Sequence, residues 1–170
     1  MIDSSLIFDG TINSTAPGGV TGVAITSTAD STNTLDLLVG RDMGAGDLLG
    51  IHIDITQAFT TTNSATLQIQ FEVSADNSTF YQVDLSPVYP AAQLIAGAPL
   101  FRQGWPLNQL LNAAAGILKA PGRYYKLNYI VGTGVFSAGK VFSYVNPAMD
   151  RQQVYNYANN YTAYVATGEV

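Results

Sequence analysis

The chain has 170 residues, no cysteine and a formal net charge of −5, which excludes a disulfide framework, thiolate chemistry and an exterior built to neutralise nucleic-acid phosphates. Apolar residues make up 47% of it, but Asp, Glu, Lys and Arg only 11%, against about 25% in ordinary soluble domains. The length fits one domain with a sizeable core, and a surface made polar mainly by Ser, Thr, Asn and Gln predicts a protein covered by partners rather than a lone monomer.

The opening MIDSSLIFDG carries an early Asp and no basic region, so it does not read as a secretion signal. No apolar run approaches the roughly 18 residues that a membrane helix needs. Short strands are expected at 20–26 and 34–39. Then comes a glycine cluster, Gly40, Gly44, Gly46 and Gly50, set among Arg41, Asp42 and Asp47. After it, Ile51, Ile53 and Ile55 alternate with His52, Asp54 and Thr56, and Ala65, Leu67, Ile69, Phe71 and Val73 alternate with Thr66, Gln68, Gln70, Glu72 and Ser74. Period-two alternation marks strands with one buried face, as antiparallel sheets have.

Asp76-Asn77-Ser78 supplies a turn, and further strands are expected at 79–85 and 94–102. PLNQLLNAAAGILKAPG places Leu107, Leu110, Leu111 and Ala114 at helical spacing, stopped by Gly116 and Pro121, which predicts a short helix. Strands resume at 123–131 and 140–145, separated by Gly132, Gly134 and Gly139. Many short strands with turn signals between them predict an all-β antiparallel sandwich or barrel over residues 1–145. Beyond Val145 the composition changes: Tyr155, Tyr157, Tyr161 and Tyr164 sit among Asn, Gln and Ala. A tail over 146–170, able to reach about 80 Å when extended, is either one more strand or frayed end, or an interface arm on a neighbouring subunit, a role that suits tyrosine.

Chemistry finds little support. The glycine cluster lacks the Lys and Ser/Thr of a P-loop and runs into a strand where a dinucleotide site needs a helix. It reads as a tight connection, with Arg41 and Asp42 open to ionic contacts. His52 is the one histidine; it shares the polar face of its strand with Asp54 and reads as solvated or at an interface, and no further ligands assemble a metal site there. The twelve acidic residues are scattered, Trp105 reads as core or interface, and the glycosylation-like triplets at Asn13, Asn77 and Asn160 read as chance. The expectation is therefore no enzyme and no cofactor.

The runs STNTLDL, GRDMGAGDLL, a strand ending TQAF, ATLQIQFEVSADNSTF and RYYKLNYIVGTGVFSAGKV occur in that order. Together they resemble the small capsid cement, or decoration, proteins of tailed double-stranded DNA phages, the group typified by the Bordetella podophage cement protein. The resemblance spans roughly residues 5 to 145; the tail has no counterpart, and 103–120 is longer than usual. It implies a jelly-roll-type sandwich, assembled as homotrimers on the outer surface of an icosahedral virion. Those trimers would sit at three-fold and quasi-three-fold positions, clamping capsomers of the major capsid protein without touching nucleic acid or membrane. Arg41, Asp42, Tyr155, Tyr157, Tyr161 and Tyr164 are then the expected protein-contact residues. Two other classes stay open: a receptor- or carbohydrate-binding sandwich of a phage fibre or surface protein, and a hydrolase on a β-sandwich.

Overall fold

A computed structural model describes residues 4–13, 15, 19–38, 49–104 and 122–147. Their strands are β1 (Ile7–Asp9), β2 (Thr11–Ile12), β3 (Val20–Thr21), β4 (Val23–Ala24), β5 (Ala29–Asp30), β6 (Leu35–Asp36), β7 (Leu49–Thr61), β8 (Thr66–Ser74), β9 (Tyr81–Leu85), β10 (Tyr89–Pro90), β11 (Pro99–Gly104), β12 (Tyr124–Gly132) and β13 (Phe136–Pro147). One sheet runs β1-β13-β7-β11 with β4 also on β13. The other runs β10-β8-β12-β5, with β9 on β8 and β6 on β12, and β2 with β3 forms a separate ribbon. Every pairing is antiparallel.

The chain is thus an all-β sandwich. The long strands are nested: β7 pairs β13 in one sheet and β8 pairs β12 in the other. The turns from β7 to β8 and from β12 to β13 both carry the chain across between sheets. That pairing rolls one long antiparallel ribbon around the core, in jelly-roll fashion.

The alternation read in the sequence sets the inward faces. Ile51, Ile53 and Ile55 of β7 pack in one cluster with Leu67, Ile69, Phe71 and Val73 of β8 and Tyr125, Leu127 and Tyr129 of β12. Each fully buried side chain of this size contributes about 1.5–3 kcal/mol relative to exposure. Phe8 of one sheet meets Phe71 of the other edge-on, with ring centroids 6.4 Å apart.

The short elements depart from the sequence reading. The 20–26 candidate is split at Gly22: Val20–Thr21 pairs with β2, whereas Val23–Ala24 pairs with β13. Of the 34–39 candidate, Leu35–Asp36 is strand among the described residues, and Leu38 leaves the extended region with a left-handed φ of 67°. Of 94–102, only the part from Pro99 is strand; Ala91–Gln93 is a 3-10 turn that lets Leu94 plug the open side of the sandwich. The last strand is longer than expected and runs through Pro147, so residues 146 and 147 belong to the sheet. The helix expected near 107–116 and the tail beyond Pro147 lie outside the described residues.

Candidate interaction surfaces

The outward face of the β8–β12 sheet carries a connected set of charges. Lys126 on β12 lies 2.6 Å from Asp30 on β5 and 3.2 Å from Glu72 on β8. Asn128 donates to the other Asp30 oxygen at 2.5 Å, and Gln70 donates to Glu72 at 2.6 Å. The Lys126 ammonium also stands 4.2 Å from the centroid of the Phe80 ring. Burial opposes the lysine charge, but the hydrogen bonds and charges of Asp30 and Glu72 outweigh it and hold Lys126 above its ordinary value. Burial likewise would raise Asp30, but Lys126 and Asn128 bring it below the usual carboxylate range. Farther along, Arg123 forms a two-pronged pair with Asp36 at 2.6 and 2.7 Å, the geometry that guanidinium and carboxylate planes favour. Its guanidinium covers the Tyr124 ring at 4.8 Å.

Within the sandwich, Asp9 forms a second polar assembly. Its Oδ2 lies 2.7 Å from the Tyr129 hydroxyl and 3.0 Å from that of Ser143, and the two hydroxyls are 2.9 Å apart. Two hydroxyl hydrogens serve these three edges, and both can be donated to the carboxylate. Its Oδ1 accepts from the Thr32 amide and hydroxyl at 2.7 and 2.8 Å. All four bonds are internal, so the group ties together β1, β12, β13 and the loop at Thr32.

His52 corrects the sequence reading. It is only 1% exposed, and its ring stacks on Tyr144 with centroids 5.1 Å apart. The outward face of this sheet is not bare there: Ile7, Phe142 and Tyr144 form a second apolar cluster with Val20 packed on it. Alternation placed His52 opposite the isoleucines correctly, but it could not show that this second face is covered too. Asp54, its neighbour on the strand, is half-buried.

The scattered acids do gather, though onto a lysine: Asp30 and Glu72 both engage Lys126, leaving no open carboxylate pair at that point. Among the described residues no group of three or more His, Cys, Asp or Glu could hold a metal ion, and no helix is long and apolar enough to cross a membrane. Arg41, Asp42, Trp105 and the tyrosines 155, 157, 161 and 164 lie outside the described residues. The sequence reading did not pick out the Asp9 assembly or the Lys126 cluster. Period-two patterning put Lys126, Asn128, Gln70 and Glu72 on outward faces, but only the β8–β12 register brings them together.

These strands and clusters define an all-β sandwich. The family model of Bbp16, named for a Bordetella phage protein, matches residues 20–145, about three quarters of the chain, and the chain belongs to that family. No curated protein matches it.

Proposed function

We propose that this protein is a structural virion component, a capsid cement or decoration protein that binds the outside of an icosahedral phage head and stabilises it by clamping neighbouring capsomers. One observation carries the reading: the sequence runs that resemble phage cement proteins lie, wherever the structure describes them, on the sandwich that the Bbp16 match spans. STNTLDL forms the turn into β6, TQAF falls within β7, ATLQIQFEVS is β8, and RYYKLNYIVGTGVFSAGKV is the β12–β13 connection with its strands. The acidic balance and scarcity of charge support a position outside the shell, away from the genome, with the surface given over to protein contacts. Proposed partners are the major capsid protein and two further copies of this chain. A closed trimer matches the three-fold positions of an icosahedral lattice, and several weak contacts held at once resist the outward load of packaged DNA.

The receptor- or glycan-binding alternative draws less support. The two aromatic rings on the charged face, Phe80 and Tyr124, are overlaid by Lys126 and Arg123 rather than presented as bare platforms. The decisive test adds purified protein to phage heads that lack it. Occupancy is followed by cryo-electron microscopy, and head survival by heating with and without the protein. Ordered density on the capsid exterior and a raised disruption temperature are expected; absence of binding at micromolar protein would sink the proposal. Light scattering of the free protein tests the trimer separately, since a dimer would point to two-fold positions instead.

A further inference from the structure

Among the stretches of the sequence without Asp, Glu, Lys, Arg or His are four at 25–28, 57–70, 85–101 and 129–139. The fold brings all four to one end of the sandwich. Phe136 donates its amide to the Thr26 carbonyl, and the Val131 amide donates to the Thr28 hydroxyl. The Thr61 hydroxyl donates to the Val135 carbonyl, and Thr60 and Ser137 hydroxyls lie 2.8 Å apart. Pro90 pairs with Thr66, and the Phe59 amide donates to the Leu94 carbonyl, which lays the 85–98 strap beside the same end. Among the described residues the flanking charges lie farther down the sheets, with Lys140 facing Gln57, four positions from Phe136. Asp30 faces Asn128, four positions from Gly132, and Glu72 faces Lys126, six positions from it. At about 3.3 Å per residue the spans from Gly132 are roughly 13 and 20 Å, so the tips of the β7–β8 and β12–β13 turns stand clear of these charges by more than the screening length of about 8 Å at physiological salt.

This uncharged end also collects exposed apolar side chains. Val135 is 56% exposed at the β12–β13 turn, and Val88 and Ile95 on the strap are 54% and 60% exposed. Around them lie threonine, serine and asparagine, whose short neutral side chains hydrogen-bond with little entropy to lose.

We propose that this charge-free end is the surface through which copies of this chain bind one another. Charge decides between the possible occupants. A residue on or beside a symmetry axis approaches its own copy, so a charge placed there meets a like charge. In a chain of net charge −5 an end without ionisable side chains avoids this penalty, whereas a different protein can be met by charges opposite to its own. The inference deepens the oligomer in the proposed function and rests on that part of it; it does not depend on attachment to a head.

The test measures mass in solution by light scattering after size exclusion, using the full chain. Wild type is expected at a multiple of 18.0 kDa, and Val135→Glu and Ile95→Glu, made separately, are expected to fall towards 18.0 kDa. Thr79→Glu, an exposed change in the turn at the opposite end, is expected to keep the wild-type mass. Thermal melting checks that each variant is folded, and Thr62→Glu, at an exposed turn position, supplies a further reading should an apolar replacement unfold the chain. Raising salt from about 0.05 to 0.5 M, which shortens the screening length severalfold, is expected to leave the wild-type mass unchanged or to increase it. A monomeric wild type, a Val135→Glu or Ile95→Glu protein of undiminished mass, or equal dissociation by Thr79→Glu overturns the inference. Adding each variant to undecorated heads separates the two readings: loss of mass with retained head binding supports this surface and leaves the cement role standing.

Discussion

The Tyr129 hydroxyl reaches the Asp9 carboxylate at 2.7 Å, from the middle of one sheet to the edge strand of the other, with both residues fully buried. A carboxylate in an apolar sandwich survives only where its lone pairs are met; here tyrosine, serine and threonine meet them from three parts of the chain.

Replacing Tyr129 by Phe keeps the ring and withdraws one donor from that carboxylate. Leaving a buried charged acceptor short of a partner costs about 1–3 kcal/mol, read as a lower urea midpoint with an unchanged slope. The alkaline limb adds a second signature. Burial, then the nearby Asp9 charge, push the Tyr129 hydroxyl well above its ordinary value. The unfolded tyrosine ionises near pH 10, so the contribution is complete below that pH and is lost as pH rises towards the folded value. The Phe variant lacks this term, and its stability is expected to fall less steeply above pH 10.

Gly139 sits at a register slip in β13 with φ of 149°, and a Cβ placed there would lie 2.3 Å from the Phe59 ring. That ring is itself fixed edge-on against Phe136 at 4.8 Å, so it has little room to yield. Gly139→Ala is expected to destabilise by about 1–3 kcal/mol through overpacking together with backbone strain. A midpoint equal to wild type in chemical unfolding would show that the bulge relaxes freely.

How much of this was legible beforehand follows from the range of each signal. The inward faces of β7, β8 and β12 were readable because alternation is local: Ile51, Leu67 and Leu127 each announce their side within a few residues. The second apolar cluster was not, since Ile7, Phe142 and Tyr144 are brought together by strand pairing between distant parts of the chain. His52 was misjudged for that reason. The Asp9 assembly lay beyond reach too, with Asp9 and Tyr129 separated by 120 positions. The uncharged tracts were plain in the sequence, but only the two cross-over turns show that they share one end.

Asp76 organises the turn after β8. The Thr79 and Ser78 amides and the Ser74 hydroxyl all donate to it, at 3.0, 2.9 and 2.8 Å, and hold it far below the usual carboxylate range. A depressed acid contributes stability above its unfolded value, near pH 3.9, and loses that contribution as pH falls towards the folded value. Asp76→Asn removes the charge at every pH. The gap in stability between wild type and variant is expected to be constant above about pH 5 and to narrow on acidification below about pH 4. A gap that does not change with pH would assign the effect to amide geometry instead of charge.

The two lysine and arginine clusters on the outward face of the β8–β12 sheet differ in how much water they keep, and their mutations should differ accordingly. Arg123 and Asp36 are both about one-third exposed, and water can replace each partner after truncation, so Arg123→Ala is expected to change stability little. Lys126 is only 15% exposed and Glu72 12%. Lys126→Met keeps most of the stem over Phe80 but leaves Glu72 with Gln70 alone among its described hydrogen-bond partners. An under-partnered, largely buried carboxylate costs about 1–3 kcal/mol. The comparison is a pair of urea titrations at neutral pH, one for each variant against wild type. Equal losses for the two variants would mean that burial does not set the strength of these pairs, and the Lys126 cluster would then be another surface contact of the kind Arg123 makes.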